Sequence, residues 1–261
     1  MTTAWAEKLF RKSVLKQRKL REIETSLGPR DRLRCLDLGS DNGVVSLLLR
    51  RGGGSWASAD LTEEAVASIR GLVESDVQLC HGDRLPFADA EFDRAVVVDM
   101  LEHVTDEAAF CAELARITKP GGRLIVNTPH LKQTALRRLR HALGQTDEKH
   151  GHLRPGYTPA RLAELLFPAF APRAHRTYSK FFSELVDTAI QAAVERLGKK
   201  GSSKGLVVTG QDVAKHAKMF RAYSFVYPFV WVIARLDALV PASGYMLIMD
   251  FDRVRPGSGG R

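Results

Sequence analysis

The chain has 261 residues, 44% of which are hydrophobic, and its formal net charge is +9. This length suits one α/β domain with additions better than two full domains, and the hydrophobic fraction can supply a substantial core. The positive charge favours anionic partners, such as nucleic acid, a membrane surface or an acidic substrate, and does not choose among them.

The cysteines and the N-terminus indicate the compartment. Cys35, Cys80 and Cys111 are isolated in the sequence, so they predict buried free thiols and no Cys-x-x-Cys zinc site. The N-terminus lacks the uninterrupted apolar core of a signal peptide. A reducing, cytoplasmic setting is therefore expected, with a peripheral position at the inner face of the membrane as the alternative.

Residues 1–30 predict an N-terminal cover helix. Apolar residues recur at three-to-four spacing between Ala4 and Leu27, and Gly28-Pro29 ends the pattern. Several basic residues lie between these apolar positions. They form either the exposed outer face of a helix that covers the active site or a contact with lipid headgroups or nucleic acid.

Strand-like and helix-like segments then alternate to about Thr128. This order predicts a mostly parallel sheet with helices on both faces. The predicted strands are residues 33–38, 55–60, 77–81, 94–99 and 123–127, and the predicted helices are residues 43–51, 63–74 and 106–117.

Four acidic residues stand in or just after the apolar strand-like runs: Asp37, Asp60, Asp83 and Asp99. In an open parallel sheet the ends of such strands lie at one edge, where ligands bind. The acidic side chains favour hydroxyls, amines and an adenine amino group over phosphate, because clustered negative charges repel phosphate. Asp41 also argues against a pyrophosphate-binding loop, which needs glycine at that position.

The stretch from residue 33 to residue 129 resembles the class I S-adenosylmethionine-dependent methyltransferases. The first loop of that family reads acidic-x-Gly-x-Gly-x-Gly, and this chain has Asp37-Leu38-Gly39-Ser40-Asp41-Asn42-Gly43, in which Asp41 replaces the middle glycine. Segments 92–99 and 119–126 are similar to the family's fourth strand and to the turn into its fifth. The resemblance implies an α/β fold with a doubly wound, mostly parallel seven-stranded sheet, and S-adenosyl-L-methionine as the cofactor.

The resemblance also implies a cofactor site. Asp60 would bind the ribose hydroxyls, Asp83 the adenine amino group, and Met100 and Leu101 would line the adenine pocket. The complete set of expected cofactor-binding residues is Asp37, Gly39, Ser40, Asp41, Gly43, Asp60, Leu61, Gly82, Asp83, Arg84, Asp99, Met100, Leu101 and His103.

The catalytic residues are harder to predict, since methyl transfer needs alignment and, for a hydroxyl acceptor, removal of one proton. Histidine suits this proton transfer because it titrates near neutral pH. The candidates are His103 after the fourth strand, His130 just after the fifth, and His150 and His152 in a polar loop after the core, with Tyr157 of that loop to orient a substrate. His150 and His152 with Asp147 and Glu148 lack further metal ligands, so the sequence favours no metal.

The last third of the chain departs from the minimal family pattern. The cofactor-binding core is expected to span residues 31–181, a helical insert or lid residues 182–242, and the last core strand residues 243–254. Two strands near 173–178 and 245–252 would pair antiparallel on either side of the insert. A helix is predicted over 182–197 and another over 211–239, interrupted near Pro228. Residues 255–261 predict a disordered tail.

The middle of the insert, residues 222–234, is uncharged and rich in aromatic side chains. It is too short to span a bilayer as a helix, and Lys215, Lys218, Arg221 and Arg235 flank it. The pattern is typical of a buried lid, of a homodimer interface, or of a segment that docks on an anionic membrane or accepts a lipid-like substrate.

These features together predict a methyltransferase that acts on a small or lipid-like acceptor, at oxygen more than at nitrogen or carbon. RNA methylation is the second hypothesis; the basic N-terminal helix motivates it, but no RNA-binding module is evident. The third hypothesis is a cofactor-binding protein without turnover, motivated by Asp41.

Overall fold

The computed structural model describes residues 3–40, 42–73, 76–132, 134–145, 151–197 and 212–255. Within them a seven-stranded sheet has the order β3-β2-β1-β4-β5-β7-β6. The strands are β1 (Arg34–Leu38), β2 (Ser55–Asp60), β3 (Val77–Leu79), β4 (Phe92–Val98), β5 (Thr118–Pro129), β6 (Phe170–Tyr178) and β7 (Met246–Arg253).

The sheet is doubly wound. Strands β1 to β5 pair in parallel, whereas β7 lies antiparallel between β5 and β6. The chain runs outward from β1 to β3 and then returns to β4 on the other side of β1, so the strand order reverses between β1 and β4. A crevice opens at the carboxyl ends of the strands at such a reversal. The predicted mostly parallel seven-stranded sheet is confirmed.

Helices cover both faces of the sheet, and two hydrophobic clusters fill the layers between them. Ile23, Leu27 and Leu49 belong to the cluster on one face, and Phe110 and Leu162 belong to the cluster on the other. The helices are α1 (Thr3–Phe10), α2 (Val14–Leu27), α3 (Val44–Arg51), α4 (Glu63–Val73), α5 (Glu107–Ile117), α6 (Ala135–Ala142), α7 (Pro159–Leu166), α8 (Phe181–Leu197) and α9 (Asp212–Arg235). The three cysteines are buried and free, as predicted.

The prediction of one long N-terminal helix was wrong. Ser13 adopts an extended conformation and its Oγ accepts the Lys16 N–H at 3.3 Å, which makes it the N-cap of α2. A serine hydroxyl that bonds the backbone locally competes with helix continuation. The chain therefore forms two helices, α1 and α2, where the spacing of apolar residues predicted one.

The second half of the insert also differs from the prediction, because α9 continues through Pro228. Side chains on both sides of the proline hold the helix against the domain. The Tyr223 hydroxyl donates to the Lys12 carbonyl at 2.8 Å, and Val230 and Ala234 are buried. This packing offsets the cost of an interior proline, which is about 3 kcal/mol.

The insert lies between β6 and β7, which pair antiparallel from Phe170 opposite Arg253 to Tyr178 opposite Met246. This pairing confirms that the last two strands are far apart in sequence and adjacent in the sheet. Among the described residues no helix is both long enough and apolar enough to cross a membrane.

One buried carboxylate joins the two ends of the insert. Asp237 follows α9 and is 1% exposed. Its Oδ2 accepts the Lys180 N–H at 2.7 Å, and its Oδ1 accepts the N–H groups of Phe182 and Ser183 at 2.9 and 3.2 Å. These donors belong to the start of α8, so Asp237 caps that helix from a distant part of the chain.

Replacing this carboxylate should destabilise the protein. Asp237→Ala leaves three backbone donors without an acceptor, so we expect the free energy of unfolding to fall by about 2 kcal/mol. Asp89→Ala is the matched control, because the Asp89 side chain is 80% exposed and its ion pair with Arg116 should contribute less than about 1 kcal/mol. Urea unfolding followed by circular dichroism measures both, and equal losses would contradict the capping role.

Candidate cofactor and acceptor site

The loop after β1 and the end of β4 meet at the strand reversal. Gly39 has a φ of +82°, and a Cβ atom there would lie 2.3 Å from the Val98 carbonyl oxygen and 2.7 Å from the Met100 Cβ. Only glycine accepts both the conformation and the contact. Gly43, with a φ of +78°, brings the start of α3 against the backbone of Ile69 in α4. The two glycines of the motif thus shape the crevice.

Asp37, the acidic residue that begins the motif, turns away from the crevice. It is fully buried, and its carboxylate accepts from the Ser46 and Ser58 hydroxyls at 2.6 Å each and from Arg50 at 3.3 Å. These bonds join β1 to α3 and β2. The structure does not support direct contact between Asp37 and a ligand, because its oxygens are occupied inside the domain; the side chain instead positions the loop.

The next two carboxylates lie where a ligand can reach them. Asp60 ends β2 and is half-buried, and its Oδ1 accepts the Leu61 N–H at 2.7 Å. Asp83 and Arg84 are exposed in the turn after β3. A Cβ on Gly82 would lie 3.1 Å from Val104 Cγ1, so this turn stands beside the segment that follows β4.

Two of the residues that follow β4 are apolar and buried. Met100 and Leu101 are 2% and 1% exposed, respectively, and belong to the hydrophobic core. The Ser40 hydroxyl is buried in the loop after β1 and has no hydrogen-bond partner among the described residues. Asp41 lies outside the described residues.

The Asp99 carboxylate is bound by Lys19 and Asn127, two residues that were not predicted to lie at the site. Asp99 has a φ of +45°, which is a strained conformation for a side-chain-bearing residue. Lys19 of α2 forms an ion pair with its Oδ2, and Asn127 donates to its Oδ1 at 2.7 Å. The Tyr178 hydroxyl in turn donates to Asn127 at 2.5 Å. Helix α2 of the N-terminal segment thus reaches Asp99 through Lys19, and the cover of the site by this segment stays a prediction.

Sequence analysis missed Lys19, Asn127 and Tyr178 as site residues. Asn127 could have been found, because it stands at the end of the fifth strand just as the acidic residues stand at the ends of the others. Burial, followed by the charge of Asp99, raises the pKa of Tyr178, so its hydroxyl keeps its proton and acts as a donor.

A second group of titratable residues follows β4. Ligand atoms of Glu102, His103 and His152 all lie within 4.8 Å of one another. Glu102 is fully buried, and burial, followed by the charge of Asp99, raises the pKa of its carboxyl to about 8. The rings of His103 and His152 pack edge to face with centroids 4.8 Å apart. Of the predicted catalytic residues, the structure brings His103 and His152 to this group.

The other predicted catalytic residues are placed differently. Tyr157 is 2% exposed, and its hydroxyl donates to Glu107 at 2.6 Å, so it is a structural residue of the core and its catalytic assignment was wrong. Burial, with the bond to Glu107 as the second cause, raises its pKa. His130 pairs through Nδ1 with the Gly244 carbonyl oxygen at 3.0 Å. His150 lies outside the described residues.

The described residues fit a nucleoside cofactor. A half-buried carboxylate at the end of β2 can accept from two vicinal hydroxyls, and the exposed carboxylate of Asp83 can accept from an amino group. The apolar wall at Met100 and the unpartnered Ser40 hydroxyl complete a crevice with both polar and apolar lining.

Comparisons with known proteins agree with this geometry. Residues 36–126 match the family model described as a methyltransferase domain. A demethylmenaquinone methyltransferase of Mycobacterium sp. (strain KMS) is 38% identical over 102 residues, which are 38% of this chain and 42% of that protein. A ubiquinone biosynthesis O-methyltransferase of Xylella fastidiosa (strain M23) is 40% identical over 102 residues, 36% of this chain and 41% of that protein.

The likeness to solved structures extends over more of the chain and concerns the fold. A putative sarcosine dimethylglycine methyltransferase from Galdieria sulphuraria superposes with a TM-score of 0.58 at 15% identity, covering 92% of this chain and 86% of that one. The chain spans less than half the length of the curated relatives given above, so the sequence match covers the cofactor half alone. Residues 36–126 form a methyltransferase domain of the class I family, whose cofactor is S-adenosylmethionine.

Proposed function

We propose that the protein transfers a methyl group from S-adenosylmethionine to a small or lipid-like acceptor, at oxygen in preference to nitrogen or carbon. The observation that carries this proposal is the strand reversal between β1 and β4, where Gly39 packs against Val98 and Met100 and where Asp60 ends the neighbouring strand. Two relatives are named for demethylmenaquinone methylation and for ubiquinone biosynthesis, which supports a quinone-like acceptor, and the second name, an O-methyltransferase, supports transfer to oxygen.

In this proposal Asp60 accepts hydrogen bonds from both ribose hydroxyls, since one carboxylate can accept two at once. Asp83 accepts from the adenine amino group. Met100 and Leu101 pack against the adenine, and Gly39 lets the backbone of the loop approach the cofactor. The cofactor supplies the methyl group and its leaving group; the chain holds the two reactants in line and excludes water.

Asp60→Ala should weaken binding of S-adenosylhomocysteine by about 1.5–3 kcal/mol, because the two hydroxyls lose a charged acceptor. Isothermal titration calorimetry measures this loss as a roughly ten- to hundredfold rise in Kd. Asp83→Asn should cost less, because the amide oxygen still accepts one hydrogen bond. Unchanged affinity in Asp60→Ala would refute the assignment.

Asp37→Ala is the contrasting variant. It removes the buried acceptor of Ser46, Ser58 and Arg50, so we expect a loss of stability of about 3 kcal/mol, in the range for breaking a buried charged network. Asp60→Ala should leave the thermal midpoint nearly unchanged. A stable Asp37→Ala protein that fails to bind S-adenosylhomocysteine would instead make Asp37 a ligand-contacting residue.

We propose that the acceptor's hydroxyl proton leaves through the group formed by Glu102, His103 and His152. This group begins three residues after Asp99 and is partly open, since both histidines are half-buried. It offers nitrogen and oxygen atoms that can take or hold a proton near neutral pH.

His152→Ala should lower the turnover number by about 10²-fold or more and change the Kd of S-adenosylhomocysteine little. The control is His175→Ala, because His175 is exposed on β6. The assay follows transfer of labelled methyl groups to lipid extract and to total RNA. Labelled lipid supports the proposal, labelled RNA replaces it with RNA methylation, and binding without any labelling makes the protein a cofactor-binding protein without turnover.

We further propose that α9 presents the site to an anionic membrane surface. One face of α9 contacts the N-terminal helices, where Gln17 donates to the Tyr227 hydroxyl at 2.9 Å. The opposite face is exposed and apolar, with Phe225 80% and Phe229 64% exposed. Val232 and Leu236 continue this face at helical spacing, and Arg235 is exposed at its end. A helix that is apolar on both faces needs a second apolar partner.

Flotation with vesicles tests this contact. The protein should float with anionic vesicles at low salt and less at high salt, because each nearby basic residue adds about 1 kcal/mol of screened attraction. Phe225→Ser with Phe229→Ser should reduce flotation, whereas Phe167→Ser, which removes a 75% exposed aromatic residue outside α9, should not. A folded protein that never floats refutes membrane docking, and a dimer that the double variant dissociates would make this face an interface between two copies.

A further inference from the structure

We propose that Glu102, His103 and His152 form a binding site for one divalent transition-metal ion of the zinc type. The three residues offer one carboxylate oxygen and two imidazole nitrogens within 4.8 Å of one another. Imidazole nitrogen suits zinc, copper, iron and nickel, whereas magnesium and calcium prefer sites made of oxygen atoms. The metal site and the proton acceptor proposed above use the same three residues, so they are alternative roles for this group, and metal binding is tested on its own.

The hydrogen bond of His103 leaves its Nε2 atom available to bind a metal ion. Its Nδ1 lies 2.9 Å from the Gly151 carbonyl oxygen. A carbonyl oxygen can only accept, so Nδ1 carries the proton and Nε2 carries the lone pair. This is the arrangement of most metal-bound histidines, in which one ring nitrogen binds the ion and the other donates to a carbonyl or carboxylate that fixes the ring.

One of the two carboxylate oxygens of Glu102 makes no hydrogen bond with the described residues. Oε2 accepts from the Thr128 hydroxyl at 3.1 Å, while Oε1 is buried and has no hydrogen-bond partner among the described residues. Glu102 as a whole is 0% exposed. A buried polar atom without a partner costs free energy, and a bound cation would satisfy it.

Two hydrogen bonds hold His152 against the other two ligands. On one side of it the Gly151 carbonyl accepts from His103, and on the other side the Leu153 N–H donates to the Glu102 carbonyl at 2.9 Å. The loop at 151–153 is thus tied at both neighbours to the short 3₁₀ turn at Leu101–His103. The backbone therefore orients the three ligands before any ion binds.

The distances between the three ligand atoms are longer than in a metal complex, so the side chains must move when an ion binds. Bonds of about 2.0–2.2 Å in tetrahedral geometry place ligand atoms roughly 3.4 Å apart, so an ion would draw the three side chains inward by about an ångström. Rotation about side-chain bonds of the half-buried histidines can supply this movement. Three protein ligands leave at least one coordination position open, as in zinc sites that bind water or a substrate oxygen.

The surrounding charges agree with a cation. The negative charge of Asp99 acts on Glu102. Arg154, the nearby arginine, points away: its guanidinium donates to the Thr105 carbonyl at 2.9 Å and pairs with Glu107 at 3.1 Å. This arginine is therefore paired elsewhere and does not occupy the three ligands.

The test uses the full chain after removal of metals with a chelator and dialysis. Co²⁺ is added as a spectroscopic probe, and the visible absorption of Co²⁺ in low-symmetry coordination reports binding; Zn²⁺ should displace it. The metal content after Zn²⁺ loading and gel filtration gives the stoichiometry. We expect one ion per chain.

Glu102→Gln and His152→Ala should each weaken Co²⁺ and Zn²⁺ binding at least tenfold, whereas His175→Ala, which removes an exposed histidine of β6, should leave it unchanged. Circular dichroism checks folding. If Glu102→Gln does not fold, the loop variant His152→Ala decides. No Co²⁺ absorption in the wild type, or equal affinity in all three variants, would overturn the proposal.

Calorimetry with S-adenosylhomocysteine on the same samples separates this inference from the proposed function. A protein that binds S-adenosylhomocysteine but no metal refutes only the metal site. One ion bound by Glu102 and His152 in a protein that binds no S-adenosylhomocysteine refutes only the proposed function.

Discussion

The contact between the loop after β1 and the end of β4 is the constraint on which the rest of the site depends. Gly39 lies so close to the Val98 carbonyl that any side chain would force the two strands apart. This approach closes the sheet at the point where its strand order reverses and leaves the crevice just outside it. Asp60, Met100 and Glu102 all reach the same edge because β2 and β4 flank β1 in parallel.

Two carboxylates of similar sequence context therefore have opposite roles. Asp37 sits within β1 and points into the layer between the sheet and α3, where Ser46, Ser58 and Arg50 satisfy it. Asp60 is the last residue of β2 and remains half-buried at the rim. Asp37 thus serves the interior of the domain, whereas Asp60 ends its strand where we propose that the ribose hydroxyls bind.

Polar contacts connect the N-terminal segment both to Asp99 and to the insert. Lys19 of α2 pairs with Asp99, and Arg18 of the same helix reaches Asp237 at 3.4 Å. Asp237 caps α8, and α9 rests on the N-terminal helices through Tyr223. A chain of charged and polar contacts thus connects the strained residue after β4 to the helices whose outer face is apolar.

The sequence by itself determined the sheet, its switch point and the order of its acidic residues, because apolar runs of strand length and glycine turns are local signals. Local patterning indicated β6 and β7 as strands, whereas their pairing across a long insert was implied by the resemblance to the methyltransferase family. The sequence did not determine that Ser13 ends a helix or that α9 continues through Pro228, because capping geometry and tertiary packing decide those points. The burial of the Asp37 and Tyr157 side chains in the domain is visible only in the tertiary structure. The same is true of the contact between His152 and Glu102, which are fifty residues apart in the sequence. Side-chain direction and the meeting of distant loops depend on contacts that no local spacing encodes.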